Sequence, residues 1–274
     1  MLRLKPRYFV ADAVRQPESC KPVNEPARCS PVLASSAVIQ KAFVAGATGL
    51  TGRFVVRELV ERGVATLAHV RPDSRSLASW RERFEAEGAA VDTTPWEEGA
   101  LTATLREQQV TMVFALLGTT RARGRAAARE GRDAAAESYE AVDYGLTAML
   151  RRAAQASGHR PRFVYLSSMS VEANTRNAYL AARARVEREL REGALPFTIV
   201  RPSFIVGERD ESRPGEKVGA ALVDGALSVV GALGGRRLRD RYASIRGEDL
   251  ARALVRLALD PSVENETVEA DALR

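Results

Sequence analysis

The sequence predicts an α/β protein built on a doubly wound parallel sheet, and three observations carry that expectation. From Lys41 onward, short apolar runs take turns with segments of helical period. A glycine-punctuated stretch, "GATGLTG", sits between the first such run and the first helix-like segment. The chain has 274 residues, 45% of them hydrophobic and 28% charged, which suits one extended globular domain. Strand and helix in alternation call for parallel strands with crossover helices on both faces. Right-handed crossovers then wind the sheet in two directions.

The elements follow in order. "AFVAG" reads as a strand and "LTGRFVVRELVERG" as a helix ended by Gly63. "ATLAHV" is a strand, and "LASWRERFEAEG" a helix with a glycine stop. "AAVD" is a short strand, "ALTATLREQQ" a helix and "VTMVFALLG" a strong strand. An arginine-rich loop precedes one long helix, "SYEAVDYGLTAMLRRAAQASG". "RFVYLSS", "AYLAARARVERELREG" and "FTIVRP" supply a further strand, helix and strand. Beyond Pro202 the rhythm loosens into an amphipathic helix, "EDLARALVRLALD", and a late strand, "ETVEA". This tail, roughly 203–274, is expected to form a small C-terminal cap over the carboxyl ends of the strands. Residues 1–38, rich in proline and mixed charge without periodicity, read as a poorly ordered leader, leaving 39–274 as the domain.

Composition excludes several classes. The net charge is +6, yet only four of the 41 basic residues are lysines, so the excess looks like compositional bias toward arginine. Neither "TRARGRAAAREGRD" nor "GGRRLRDRY" interleaves aromatics with its charges, so no nucleic-acid binding is expected. No run of 18 apolar residues exists, and a membrane span is not expected. Cys20 and Cys29 form no metal pattern. Asp12, Glu18 and Glu25 argue against a transit peptide, and a reduced, cytoplasmic protein is the expectation.

Gly46, Gly49 and Gly52 form G-x-x-G-x-x-G between strand and helix. The first allows a tight turn, the second a close backbone approach to pyrophosphate, the third close helix–sheet packing. The helix N-terminus presents its partial positive charge to the anion. Thr48, Leu50 and Thr51 belong to the same cradle, and Arg53 just after it is a second candidate, beside Arg71 below, for a cofactor's 2′-phosphate. The second strand ends without an acid and runs into Arg71, whose guanidinium can grip a 2′-phosphate. That favours NADP(H) over NAD(H). Asp73, 21 residues after Gly52, could serve a ribose, but it suits better a helix cap near Ser74. Asp92, closing the third strand, is a candidate acceptor for the adenine amino group or a plain loop acid.

The candidate chemistry lies after the strand "FVYLSS", which delivers Ser167 and Ser168 at its carboxyl end. Tyr179 and Arg183, four apart on the next helix, share one face. A tyrosine that exchanges a proton, a cation that stabilises its phenolate and a serine that orients a carbonyl form a reduction site beside a nicotinamide. The plain alternative is a helix with one buried aromatic and one exposed arginine. Arg121, Arg123, Arg125, Arg129 and Arg132 border the same end, as an anion recogniser, a lid or a solvated loop.

From Lys41 the chain resembles the atypical, extended-type short-chain dehydrogenases/reductases, and is similar to the oxidoreductase branch that includes the Tat-interacting protein. "GATGLTGR", "ALLGTTR", "AVDYGLTAML", "YLSS", "AYLAAR", "IVRPSFIVGERDESRPGE" and "YASIRGEDLARAL" carry the likeness. The resemblance implies a Rossmann-like domain binding NADP(H), with Ser168, Tyr179 and residue 183 in the catalytic positions. It also implies Leu117, Gly118 and Thr119 beside the cofactor, with Arg201 and Pro202 near the nicotinamide. Two positions depart from the family: Arg183 stands where lysine is usual, and Asp143 where many extended members have asparagine. The expected activity is NADPH-dependent reduction of a small carbonyl or related substrate. The rivals are a weakly catalytic NADP(H)-binding regulatory or scaffold protein and a sugar-nucleotide epimerase or dehydratase. A small-molecule substrate is the expected partner; a homodimer is compatible, as is a protein partner in the regulatory case.

Overall fold

The computed structural model describes residues 40–172, 175–207 and 243–274. The expected leader and residues 208–242 of the expected cap lie outside the described residues. Seven parallel strands form the main sheet. In chain order these are β1 (Lys41–Ala45), β2 (Ala65–His69), β3 (Ala90–Asp92), β4 (Met112–Ala115), β5 (Arg162–Leu166), β6 (Phe197–Arg201) and, last, β9 (Glu266–Glu269). Their spatial order is β3-β2-β1-β4-β5-β6-β9. A small second sheet pairs β7 (Ile205–Val206) with β8 (Ile245–Arg246).

The pleat sorts side chains to two cores. Ala42 and Val44 of β1 face one, Phe43 and Ala45 the other, and β5 divides Val164 and Leu166 from Phe163 and Tyr165 in the same way. Buried on both faces, these strands read as nearly continuous apolar runs. The first core is covered by α1 (Gly52–Glu61), α2 (Leu77–Ala86) and the C-terminal helix Gly247–Leu259, through Val55, Leu59, Phe84, Leu250 and Leu254. The second is covered by α3 (Glu98–Glu107), α5 (Thr147–Ala156) and α6 (Ala178–Glu192), through Leu101, Leu105, Leu150, Val186 and Leu190. The architecture is helix–sheet–helix, as the alternation predicts.

Three local expectations change. The arginine-rich stretch after β4 is a helix, α4 (Arg121–Arg129), not a loop. Thr120 caps it, its Oγ1 accepting from Arg123 N at 3.3 Å, and alanine and arginine are strong helix formers. The expected long helix is divided: Tyr139–Leu146 is a π-helix, and α5 continues from it. Where a cap was expected, the described tail enters the body of the fold. β9 pairs along β6 as an edge strand, and the C-terminal helix lies against α1. Buried Arg162 fixes this helix by donating to Ala258 O at 3.1 Å and Asp260 O at 2.6 Å. Among the described residues no helix is long and apolar enough to cross a membrane.

β1 leads outward to β2 and β3, and the chain then crosses back to β4 on the other side of β1. The carboxyl ends of β1 and β4 therefore border the crevice where open α/β sheets hold ligands. All remaining chemistry is arranged around that point.

Candidate active site

A cleft of about 830 Å³ opens at this switch point. Gly46 begins its floor with φ +83°, and a Cβ there would stand 2.6 Å from Leu116 O. Gly52 is tighter still: a Cβ would meet Gly46 O at 2.1 Å. These two glycines bring the turn under β4 and set α1 against the loop, and Gly49 N closes the turn on Gly46 O at 2.9 Å. Gly46, Thr48, Gly49, Leu50, Thr51, Gly52 and Arg53 all line the cleft, with Thr48 and Gly49 exposed to it. Arg71 lines its far wall beside His69, as expected for a group at the end of β2. Leu117, Gly118 and Thr119 line the wall after β4.

α6 brings the other reactive groups. Asn177 caps it, Oδ1 accepting from Tyr179 N at 3.0 Å and Leu180 N at 3.4 Å. Tyr179 and Arg183 then face the same cleft. The Arg183 guanidinium lies over the Tyr179 ring, 4.7 Å from its centroid, and Tyr139 meets that ring edge-on at 5.3 Å. Arg183 itself is buried. Its Nη2 donates to Asp143 Oδ1 at 2.8 Å and to Leu117 O at 3.4 Å, and Nη1 donates to Leu166 O. The exposed arginine of the plain alternative is thus not what the helix presents.

Asp143 comes from the π-helix and is 1% exposed. A π-turn adds a residue to the helical circuit, and such insertions cluster at functional sites. The second carboxylate oxygen accepts from Thr119 N at 3.0 Å. Burial pushes the Asp143 carboxyl above its ordinary value, while Arg183 and the Thr119 amide pull the other way. Gly118 makes the room: a Cβ there would meet Arg183 Nη2 at 3.1 Å. Outside the cleft, Arg185 stacks on Tyr144 at 3.6 Å and Tyr144 Oη donates to Glu189 at 2.6 Å, holding α6 to the π-helix.

Several expected residues stand elsewhere. Ser167 is buried, and its Oγ donates to Glu187 Oε1 at 2.6 Å. Arg201 grips the same carboxylate through Nε at 2.9 Å and Nη2 at 2.6 Å, and reaches Glu269 at 2.9 Å. Asp92 accepts from Thr94 N at 3.1 Å and Thr94 Oγ1 at 2.7 Å, a local turn. Pro202 is buried and accepts from Met169 N at 3.0 Å. None of these four lines the cleft, and neither does half-buried Ser168. Residues that sequence reasoning missed are His69, Trp96, Glu137, Tyr139 and Ile205. Tyr139, beside the "AVDYG" segment, and Ile205, within "RPSFIVG", were within reach; Trp96 follows a strand end without a motif. Among the described residues no cluster of acidic, histidine or cysteine side chains suits a metal ion.

A glycine turn at the switch point of a parallel sheet, opening onto a cleft of ligand size, defines a dinucleotide-binding α/β protein. The chain belongs to the NAD(P)H-binding family, whose model matches residues 46–261. Its curated relatives include protein fmp52-1, mitochondrial, of Aspergillus oryzae, 26% identical over 221 residues, covering 78% of this chain and 84% of that protein. The structure of UDP-glucose 4-epimerase with UDP-glucose from Thermotoga maritima superposes with a TM-score of 0.56 at 18% identity, over 83% of this chain and 75% of that one. The structure described as AtPrR2 with NADP+ and (+)pinoresinol gives 0.58 at 16% identity, over 84% and 69%. At these identities the structural likeness is one of fold. The mitochondrial names of the fungal relatives overturn the cytoplasmic expectation.

Proposed function

We propose that the protein is an NADP(H)-dependent oxidoreductase acting on a small carbonyl compound. One observation carries this reading: Tyr179 and Arg183 open into the same cleft as the glycine turn and Arg71. The cradle suits a dinucleotide, because Gly46 and Gly52 let strand, turn and helix close so tightly that a Cβ would clash with backbone, which sets exposed Thr48 and Gly49 and the start of α1 on the cleft. Gly46, Gly49 and the start of α1 would hold the pyrophosphate, and Arg71 the adenosine end. Bound NADPH would supply the hydride. Tyr179 Oη would give its proton to the carbonyl oxygen as that oxygen gains charge. Arg183, over the ring, would place a positive charge beside the phenolate that remains. Its hold on Leu117 O and Leu166 O fixes the guanidinium, so little reorganisation is needed as charge develops.

NADPH oxidation across a panel of aldehydes and ketones tests this, with cofactor binding followed separately by fluorescence. Tyr179→Phe should lose turnover by a factor of about 100 or more, within the range for one proton-transfer group, and keep its NADPH affinity. A variant that reduces as fast as the parent overturns Tyr179 as the proton donor.

A second reading is favoured by the Arg183–Asp143 pair. A cation already satisfied by a carboxylate and two carbonyls offers less to a phenolate than an unpaired one. In that reading the protein binds NADP(H) and reports it to a partner, and neither the parent nor Arg183→Lys turns over any carbonyl. The names of the fungal relatives support a mitochondrial setting, which fractionation of the source cells would check.

A further inference from the structure

A second hollow, of about 460 Å³, lies between the segment that follows β2 and helix α4. It shares Arg71, Ser74, Ser76, Arg123 and Glu137 with the main cleft, so the two are continuous. Its walls carry Arg71, Arg75, Arg123 and Arg132 against Asp73, Glu130 and Glu137. The acids are already matched. Arg132 lies 3.0 Å from Glu130 and 3.7 Å from Glu137, and Asp73 lies 3.8 Å from Arg71. Among the described residues, Arg75 and Arg123 form no ion pair, although they stand on the two walls of one hollow. Arg123 belongs to the first turn of α4, and Arg71 and Arg75 to the turn after β2. Cations collected around a hollow without their own counter-ions suit a phosphate, whose oxygens take guanidinium forks from more than one side. Ser74 and Ser76 add hydroxyl donors.

The position narrows the ligand. The hollow adjoins His69 and Arg71 at the end of β2, where a dinucleotide lying on the glycine turn places its adenosine ribose. We infer that Arg123 of α4, with Arg75, completes a two-sided clamp with Arg71 for the 2′-phosphate of the cofactor, and that this phosphate holds α4 across the cleft. The inference rests on the NADP(H) reading above and adds a residue from the opposite wall. Recognition of the phosphate and seating of α4 become one event, so NADPH and NADH should differ in what they order as well as in affinity.

The experiment titrates the full chain and its Arg123→Ala, Arg71→Ala and Arg125→Ala variants with NADPH and with NADH. Isolated 2′-AMP and 5′-AMP serve as probes of the phosphate position, and hydrogen exchange is followed over residues 120–132. Arg125 is exposed on the same helix and outside both hollows, so it controls for the loss of one charge. Arg123→Ala should weaken NADPH and 2′-AMP by about tenfold, the worth of one charge-assisted hydrogen bond, and leave NADH and 5′-AMP within a factor of about two. Arg125→Ala should leave all four close to the parent. NADPH, and not NADH, should slow exchange in α4. A parent with no preference for NADPH sinks the cofactor reading, and the clamp with it. A parent that prefers NADPH, while Arg123→Ala changes neither cofactor, both equally, or no more than Arg125→Ala does, overturns the clamp and leaves the cofactor reading standing.

Discussion

Arg183 Nη2 stands 2.8 Å from Asp143 Oδ1, and both side chains are buried. These are the two positions at which the sequence departs from the family it resembles. The departures meet in space: Arg183 stands where that family usually has lysine, and Asp143 where many extended members have asparagine. Asp143 supplies the buried Arg183 guanidinium with a counter-charge, and a buried charge that loses its counter-charge is costly.

The pair should therefore behave as a unit. Asp143→Asn and Arg183→Ala should each destabilise the fold by about 3 kcal/mol, the scale for breaking a buried pair. A double-mutant cycle in urea should return a coupling of about 1–3 kcal/mol. If turnover is limited by the pairing, Asp143→Asn combined with Arg183→Lys should exceed Arg183→Lys alone. Additive stability losses would show that the two side chains do not depend on each other.

The glycine turn gives a graded expectation. Gly52→Ala would drive a Cβ to 2.1 Å from Gly46 O, backbone that cannot yield cheaply. Gly49→Ala meets the same oxygen only at 3.1 Å. Dinucleotide affinity and thermal stability should both fall much further for Gly52→Ala. Equal losses at the two sites would contradict the described turn.

His69 sets a first pH dependence. Burial holds its imidazole below the ordinary value, and nearby Arg71 adds to this against the Thr94 carbonyl and Asp92. A histidine depressed in the folded state contributes stability that is present above its unfolded pKa, near 6.5, and is lost as pH falls through the folded value. Unfolding temperature should drop between about pH 7 and about pH 5. His69→Gln can still donate to Thr94 O, which His69 Nε2 meets at 2.9 Å, and should flatten that limb. An unchanged slope would assign the limb to other groups.

Glu187 acts lower. Burial opposes its ionisation, but hydrogen bonds from Arg201, Ser167 and Arg191 outweigh burial and hold the carboxyl below its ordinary range. Its contribution is present above the unfolded pKa, about 4.3, and disappears as pH falls through the folded value. Glu187→Ala should cost about 1–3 kcal/mol at neutral pH by leaving the buried Ser167 hydroxyl without its acceptor, while Arg201 keeps Glu269. Glu187→Gln should cost less and remove the dependence below about pH 4. Urea midpoints measured against pH separate this window from that of His69.

The strands and most helices were legible because strands buried on both faces must be apolar and glycine stops are local signals. The glycine turn was legible for the same reason: one short stretch contains the whole device. α4 was not, because its arginines and alanines lack an apolar stripe, and only the Thr120 cap marks its start. The π-turn at Asp143 was hidden because its cause is tertiary: the Thr119 amide and Arg183 come from distant segments. Ser167, Arg201 and Asp92 misled for the converse reason. Each sits at a strand end, where ligands gather, yet Ser167 and Arg201 are taken up by Glu187, a partner that spacing cannot reveal, and Asp92 by Thr94 two residues on, in keeping with the plain loop acid that was its alternative. The mitochondrial association of the relatives was not legible either, since the acids among residues 1–38 argued the other way.

β9 bears on how the molecule is born. β6 ends at Arg201, but the strand that pairs along it begins only at Glu266. At about 5–20 residues per second of synthesis, a ribosome leaves the β6 edge uncovered for roughly 3–13 seconds after making it. Throughout that interval the nascent chain displays unpaired amides and carbonyls along β6, and for most of it the first core still lacks the helix Gly247–Leu259. Chaperone demand in the cell, and yield in a foreign host, should therefore hinge on the arrival of Glu266–Glu269, far behind the strand it covers.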